Sequence, residues 1–74
     1  MNATIEINGQ QYPPIRIKND QLTEPGEIPA EYYEAIDSII WHHLTDKTQP
    51  GSWRLMPLAG YLNTGEPYKI TFKP

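Results

Sequence analysis

The start of the chain has the apolar and polar alternation of β-strands, interrupted by one turn. Side chains alternate from Thr4 to Ile7, and the dipeptide Asn8-Gly9 follows directly. Because a type I′ turn needs two residues that accept a positive φ, Asn-Gly between alternating segments is a strong hairpin signal. The pattern predicts a β-hairpin over about residues 3–18.

The return strand of this hairpin changes its parity at two prolines. Pairing around the turn places Tyr12 on the core side, whereas Ile15 and Ile17 have the opposite parity. Pro13-Pro14 lies where the parity changes and removes two ladder donors. We therefore expect an edge strand with a bulge or kink at the prolines, which returns both isoleucines to the core.

The middle of the chain predicts a polar loop followed by a helix. Residues 19–29 are polar and contain Pro25-Gly26, and Pro29 suits the first turn of a helix. Residues 30–46 form a helical pattern, with one broad apolar arc centred on Ile36. The other members of this arc are Tyr32, Tyr33, Ile39, Ile40, His43 and Leu44.

The last third predicts a second hairpin over about residues 52–73. Trp53–Met56 and Ala59–Leu62 form the outgoing strand, and the turn spans Asn63–Glu66. The return strand alternates cleanly, with its apolar residues Tyr68, Ile70 and Phe72 facing inward. The chain of 74 residues therefore predicts a single α+β domain of ββαββ order, in which one helix packs across one face of a small antiparallel sheet.

Charge is distributed unevenly along the chain. The net charge is −3, but the segment between Asn19 and Asp46 has seven acids and no Lys or Arg, while the remaining residues sum to +4. Two local fields of opposite sign influence the choice of partner more than the total charge does. With no Cys, no signal-peptide pattern and no apolar run longer than Ile39–Trp41, we expect a cytoplasmic protein, in its own cell or in a host cell.

No constellation of residues in the sequence indicates catalysis. His42 and Asp46 share one helical face but lack a third strong metal ligand, and His43 belongs to the apolar arc. The glycines are scattered one per turn, so none forms a phosphate-binding loop. We expect a protein that is not an enzyme and uses no cofactor or metal.

Trp41 breaks the pattern of the predicted helix, because it falls on the polar side. Either a partner contacts it or one of the connectors, 19–29 or 47–52, folds over it, and the sequence leaves both alternatives open. The acids expected around it are Glu24, Glu27, Glu31, Glu34 and Asp37. An aromatic anchor among acids suits a basic protein surface, which predicts an inhibitor or adaptor that occupies the nucleic-acid-binding groove of its target. Phage anti-defence proteins of the anti-CRISPR type share this small size and lack of catalytic motifs.

Two alternative functions use other features of the chain. The outward residues of the predicted sheet include the bases Arg16, Lys18, Lys69 and Lys73, so an open basic face could contact nucleic acid, although weakly for a net-acidic domain. A third alternative is a structural or assembly subunit that associates with itself, for instance as a homodimer. So short a chain, without disulfides, buries little surface on its own, and this favours self-association.

Overall fold

The computed structural model describes all 74 residues as one antiparallel sheet with one helix packed on it. The strands are β1 (Asn2–Ile7), β2 (Gln10–Gln11), β3 (Ile15–Lys18), β4 (Gln21–Leu22), β5 (Leu58–Tyr61) and β6 (Pro67–Lys73). Helix α1 spans Ala30–Thr45, and a short 3₁₀ helix spans Gly51–Leu55. The sheet order is β4-β3-β1-β6-β5, with β2 also paired to β1. The predicted α+β class, two hairpins and one helix, is confirmed.

The first hairpin has the turn that the sequence predicts. Asn8 and Gly9 adopt φ values of 54° and 80°, and Ile7 lies opposite Gln10. Strand β1 then pairs with β6 along its whole length, from Asn2 opposite Lys73 onwards. These pairings place β1 in the middle of the sheet.

The two prolines divide the return strand into β2 and β3. Glu6 lies opposite Gln11 in β2, whereas Asn2 lies opposite Arg16 in β3, which is a shift of one residue in register. A one-residue shift is what a bulge produces, and it turns Ile15 and Ile17 into the core as expected. The expectation of an edge strand is wrong for β3, because β4 pairs with its outer side.

The segment expected to be a loop, residues 19–29, contains the short strand β4. Asn19 and Asp20 form a second two-residue turn with φ values of 55° and 63°, and Leu22 lies buried opposite Ile17. Asn and Asp are the non-glycine residues that best accept this left-handed conformation. The hairpin of β3 and β4 is built on that turn, and the polar composition of the segment does not predict it.

The expected strand over 53–56 is wrong, because Trp53–Leu55 lie in the 3₁₀ helix and Met56 caps its end. The N–H of Trp53 donates to Pro50 and that of Met56 donates to Trp53, at 2.9 and 3.1 Å. Pro50 and Pro57 bracket this turn and cannot donate to a ladder. The second hairpin is therefore shorter than predicted, since its first strand begins only at Leu58.

The hydrophobic core lies between α1 and the inward face of the sheet. Helix residues Ile36, Ile40 and Leu44 pack on strand residues of which Ile5 and Ile70 are fully buried. Both flanks of the helix are tied to the sheet, as Tyr32 Oη donates to Glu66 Oε1 at 3.4 Å and Leu22 N donates to Asp37 Oδ1 at 2.9 Å. None of the helices has the length and apolar character that a membrane span requires.

Candidate binding surfaces

Trp41 is exposed on the outer side of α1. Its side chain is 42% exposed, so neither connector encloses it. Its ring packs edge-on against His42, with 5.2 Å between the ring centroids. The covering alternative is thus excluded, and the helix presents a large aromatic surface to solvent.

Asp37, one turn before Trp41, already has a role in the fold. It is half-buried, and its carboxylate holds the N–H of Leu22 and with it strand β4. Residue patterns do not indicate this contact, since the expected loop offered no strand for Asp37 to hold. Of the acids predicted around Trp41, Asp37 is therefore the one that is already engaged.

The other four predicted acids are all exposed, two of them on α1 and two on the segment before it. Glu31 and Glu34 are exposed on α1, and Glu24 and Glu27 are exposed on the turn before it. At 1.5 Å per residue, Glu31 lies about 15 Å from Trp41 along the helix axis. We call Glu24, Glu27, Glu31, Glu34 and Trp41 the acidic stripe, because the four exposed acids precede the indole on α1 and on the segment that leads into it.

The turn that carries the first two acids of the acidic stripe is anchored to the core. Ile28 is buried, and its N–H donates to Pro25 at 3.1 Å. Gly26 lies so close to Ile15 that an added Cβ would be 3.0 Å from the isoleucine Cδ1. The carboxylates of Glu24 and Glu27 therefore project from a turn whose backbone is fixed by packing.

The second predicted surface is the open face of the sheet, on the side away from α1. Arg16, Lys18, Lys69 and Lys73 are all exposed there, as the strand parity predicts. Asn2 pairs with both Arg16 and Lys73, so these two bases flank one residue in a single row across the sheet. Neighbouring strands are about 4.8 Å apart, which puts their Cα atoms about 10 Å from each other.

A shallow polar cleft of about 150 Å³ lies on the same face. Its lining residues are Thr4, Glu6, Gln11, Lys69 and Thr71. Glu6 lies directly opposite Lys69 in the ladder, so it offsets the charge of that lysine. Since none of the lining residues is aromatic, the cleft offers no ring on which a base could stack.

Two aromatic residues could have added stacking to the basic face, and the structure separates them. Tyr61 is 77% exposed at the edge of the sheet. Trp53 instead packs on His43, with 4.9 Å between ring centroids. His43 also stacks on Phe72 and is only 6% exposed, so it is a core residue as its place in the apolar arc predicted.

Burial determines the ionisation of His43. Loss of solvent lowers the pKa of the imidazole, and the nearby backbone of Trp53 and the charge of Asp46 offset this only in part. Nε2 of His43 and Nε1 of Trp53 are both buried without a hydrogen-bond partner. The neutral form of His43 is therefore the one that suits this packing.

Asp46, which shares a helical face with His42, caps the turn that follows α1. Its Oδ1 accepts hydrogen bonds from the N–H and hydroxyl of Thr48, at 3.0 and 2.6 Å, and these bonds lower the pKa of the carboxyl. The structure brings together no group of three or more His, Cys, Asp or Glu side chains that could hold a metal.

A third feature, which the sequence did not indicate, is a mostly apolar groove of about 300 Å³ between α1 and the outer edge of β5. Its lining residues are Ala35, Ser38, Ile39, Tyr61, Leu62, Asn63 and Tyr68. The groove depends on the pairing of β5 with β6 beside the helix, which residue patterns within either element cannot show.

Comparison with family models, curated proteins and solved structures yields no match. The acidic stripe and the basic face have opposite charge and lie on the two opposite layers of the fold, while the groove lies at the side between them.

Proposed function

We propose that this chain is a protein-binding module, an inhibitor or adaptor that engages a basic surface of its partner through the acidic stripe. The observation that carries the proposal is Trp41, an indole 42% exposed on a helix whose other side is fully packed. Because Trp41 lies on a packed helix, its backbone has little freedom left to lose on binding.

The energetic argument is that Trp is the residue type most enriched among interface hot spots. Covering such a ring in a fitted pocket is worth about 2 kcal/mol or more. The surrounding acids contribute in another way, because complementary charge mainly accelerates association and selects the partner. Trp41 would supply affinity, and the four glutamates of the acidic stripe would supply orientation.

A basic groove that normally holds nucleic acid has the chemistry that this stripe complements. A phage-borne protein that blocks a host nuclease, of the anti-CRISPR type, is one setting in which such a stripe would act. In that setting the carboxylates of the acidic stripe would take the place of phosphates along the groove.

The experiment is affinity capture from the source cell or its host, followed by quantitative binding with the purified partner. Trp41→Ala should weaken binding at least 30-fold, which corresponds to about 2 kcal/mol. Trp41→Phe, which retains an aromatic anchor, should recover part of that loss. Glu31→Lys with Glu34→Lys should reduce the association rate.

The control for charge is Glu6→Lys, which makes the same change on the opposite layer and should leave binding intact. Circular dichroism of each variant separates loss of binding from loss of folding. If Trp41→Ala binds like the wild type, or if it unfolds the chain, Trp41 is not the anchor and the proposal fails.

A second candidate function is contact with nucleic acid through the basic face. The observation that favours it is the exposure of Arg16, Lys18, Lys69 and Lys73 on one uncovered sheet. Wild-type protein should then retain a labelled single-stranded oligonucleotide at about 50 mM salt, and Lys69→Glu with Lys73→Glu should abolish that retention. The same double variant should leave capture through Trp41 unchanged, so the two functions can be told apart.

A further inference from the structure

Strand β5 forms an exposed edge of the sheet that lacks charge. It is the outermost strand on the β6 side. Residues 55–63, which contain β5 and its flanks, include no charged side chain, although one residue in five of the chain is charged. Natural edge strands are usually protected by charges, bulges or a covering element, and β5 has only Pro57 at its start.

The ladder between β5 and β6 shows which backbone groups this edge leaves unpaired. Leu62 N donates to Glu66 O at 2.8 Å, so that pair is hydrogen-bonded, and the pairs then alternate along the antiparallel ladder. Gly60 therefore bonds to β6, whereas the N–H and C=O groups of Ala59 and Tyr61 point away from the sheet. Four backbone groups of β5 are thus directed outward.

Exposed apolar side chains concentrate along the same edge. Of the five large hydrophobic residues that are exposed, three lie in or just before β5: Leu55 at 48%, Met56 at 52% and Tyr61 at 77%. Tyr61 also lines the groove between α1 and β5, whereas Leu55 and Met56 precede the other end of the strand. The edge strand, these side chains and the residues that line the groove are all uncharged, and we call them together the β5 edge (residues 55–63 and the groove).

We propose that two copies of this chain pair antiparallel through β5, with the two-fold axis at Gly60. In that register Ala59 of each copy lies opposite Tyr61 of the other. Each of these pairs exchanges two N–H to C=O hydrogen bonds, so all four outward groups of both copies are satisfied at once. A two-fold contact must be complementary to itself, because both copies present the same surface. The outward N–H and C=O groups of β5 meet this requirement.

Side-chain sizes also match in this register. Tyr61 and Ala59 both project to the open face, so the ring of Tyr61 would cover the small side chain of Ala59 in the second copy. Gly60 has no side chain at the axis, where Tyr68 of the same chain already lies within 2.9 Å of the position a Cβ would take. Leu58 would lie opposite Leu62 of the second copy, and Met56, which precedes the strand, would reach Asn63 at the mouth of its groove.

The charge of the β5 edge favours a second copy over a charged partner. The surface has no charges that would repel an identical one, and neither a basic nor an acidic partner would find a counter-charge there. The opposite sheet edge, β4, is only two residues long and so offers fewer unpaired backbone groups, which makes it the poorer candidate. A chain of this size also gains stability from association.

The first experiment measures mass in solution by light scattering and sedimentation. Wild-type protein should have twice its chain mass of 8.5 kDa, whereas Ala59→Lys with Tyr61→Lys should have the mass of one chain. The matched control is Gln21→Lys, which places the same charge on the other edge strand and should remain a dimer. A monomeric wild type at about millimolar concentration, including one whose β5 pairs only with a different protein, would overturn the proposal.

The second experiment tests the register itself and does not depend on the lysine variant folding. The chain has no Cys, so single cysteines can be introduced cleanly. Ala59→Cys mixed with Tyr61→Cys should form an intermolecular disulfide under mild oxidation, because directly opposite residues have Cα atoms about 5.5 Å apart. Either variant alone should not cross-link, since like positions lie about two residues out of register. Equal cross-linking in all three samples would overturn the pairing.

Trp41 does not contribute to the β5 edge, because it lies on the flank of α1 that faces β4 rather than β5. Trp41→Ala should therefore lose partner binding and remain a dimer. Ala59→Lys with Tyr61→Lys should become a monomer, and each monomer should still bind the partner through its acidic stripe. Failure of either proposal is thus visible independently of the other.

Discussion

The carboxylate of Asp37 accepts a hydrogen bond from the backbone N–H of Leu22 at 2.9 Å, so a helix side chain fixes the outermost strand on that side of the sheet. Asp37→Ala should lower the free energy of unfolding by about 1–2 kcal/mol, because the amide loses a charged acceptor in a half-buried place. Asp37→Asn keeps an acceptor oxygen and should recover part of the loss.

Urea denaturation gives the measurement for this pair, with Glu34→Ala as the control. Glu34 is an exposed acid on the same helix, and its replacement should change stability by less than about 0.5 kcal/mol. Equal midpoints for Asp37→Ala and Glu34→Ala would show that the contact with Leu22 contributes nothing.

His43 should make the fold sensitive to mild acid. Its pKa is lowered in the folded chain below the ordinary value of 6.5, so the unfolded chain takes up the proton first as the pH falls. Stability should be complete above 6.5 and decline below it until the folded pKa is reached. Asp46 affects stability in a separate, more acidic pH range. Its pKa is lowered in the folded chain, so its contribution to stability is complete above pH 3.8 and declines only below that value.

Melting temperatures between about pH 7.5 and 5 test the role of His43. His42→Gln, which removes the exposed neighbour, should keep the decline, whereas His43→Phe should flatten it. The prediction is wrong if the His42 variant is the one that loses its pH dependence.

Ile40 and Trp41 are neighbours in sequence and should differ sharply on truncation. Ile40 is fully buried, so Ile40→Ala should cost about 2–5 kcal/mol, enough to unfold much of a domain whose total stability is about 3–5 kcal/mol. Trp41→Ala removes a larger side chain but an exposed one and should cost less than about 1 kcal/mol. Chemical denaturation of both variants checks the order, which would be reversed if Trp41 were a core residue.

Gly26, in the loop before the helix, should tolerate alanine poorly. Its φ is +55°, and an added Cβ would meet Ile15 Cδ1 at 3.0 Å, so Gly26→Ala should cost at least about 1 kcal/mol. Gly51→Ala is the control, as nothing lies within 4 Å of the new methyl group. Similar unfolding midpoints for both variants would contradict the strain at Gly26.

The pattern of the sequence predicted those elements whose periodicity and turn residues agree. The Asn8-Gly9 hairpin, the helix and the inward row of β6 were all predictable, because each depends on neighbours in sequence. Strand β4 was not, since two residues are too few for a period and its stability comes from Asp37. The 3₁₀ helix was missed because Trp53 and Leu55 alternate with polar residues as they would in a strand. Pro50 and Pro57, which cannot donate to a ladder, favour a turn there instead.

The candidate surfaces were predictable to differing degrees. Strand parity sufficed to place Lys69 and Lys73 on the open face, and helical periodicity sufficed to place Trp41 outside the core. The exposure of Trp41 depends on where two connectors fold, which only tertiary structure shows. The β5 edge combines parts of a helix, a strand and a turn, so the pattern of no single segment predicts it.

The central place of β1 has a consequence for the order of folding. Its longest partner is β6, so the 60 residues from 8 to 67 must be looped before the middle of the sheet can form. Closing that loop costs about 3 kcal/mol more entropy than closing a two-residue hairpin. During synthesis on the ribosome, β1 cannot pair with β6 until β6 has been made. Until then, α1 has only part of the sheet on which to pack. Folding should therefore be slow for so small a chain and should be completed only after residues 67–73 emerge.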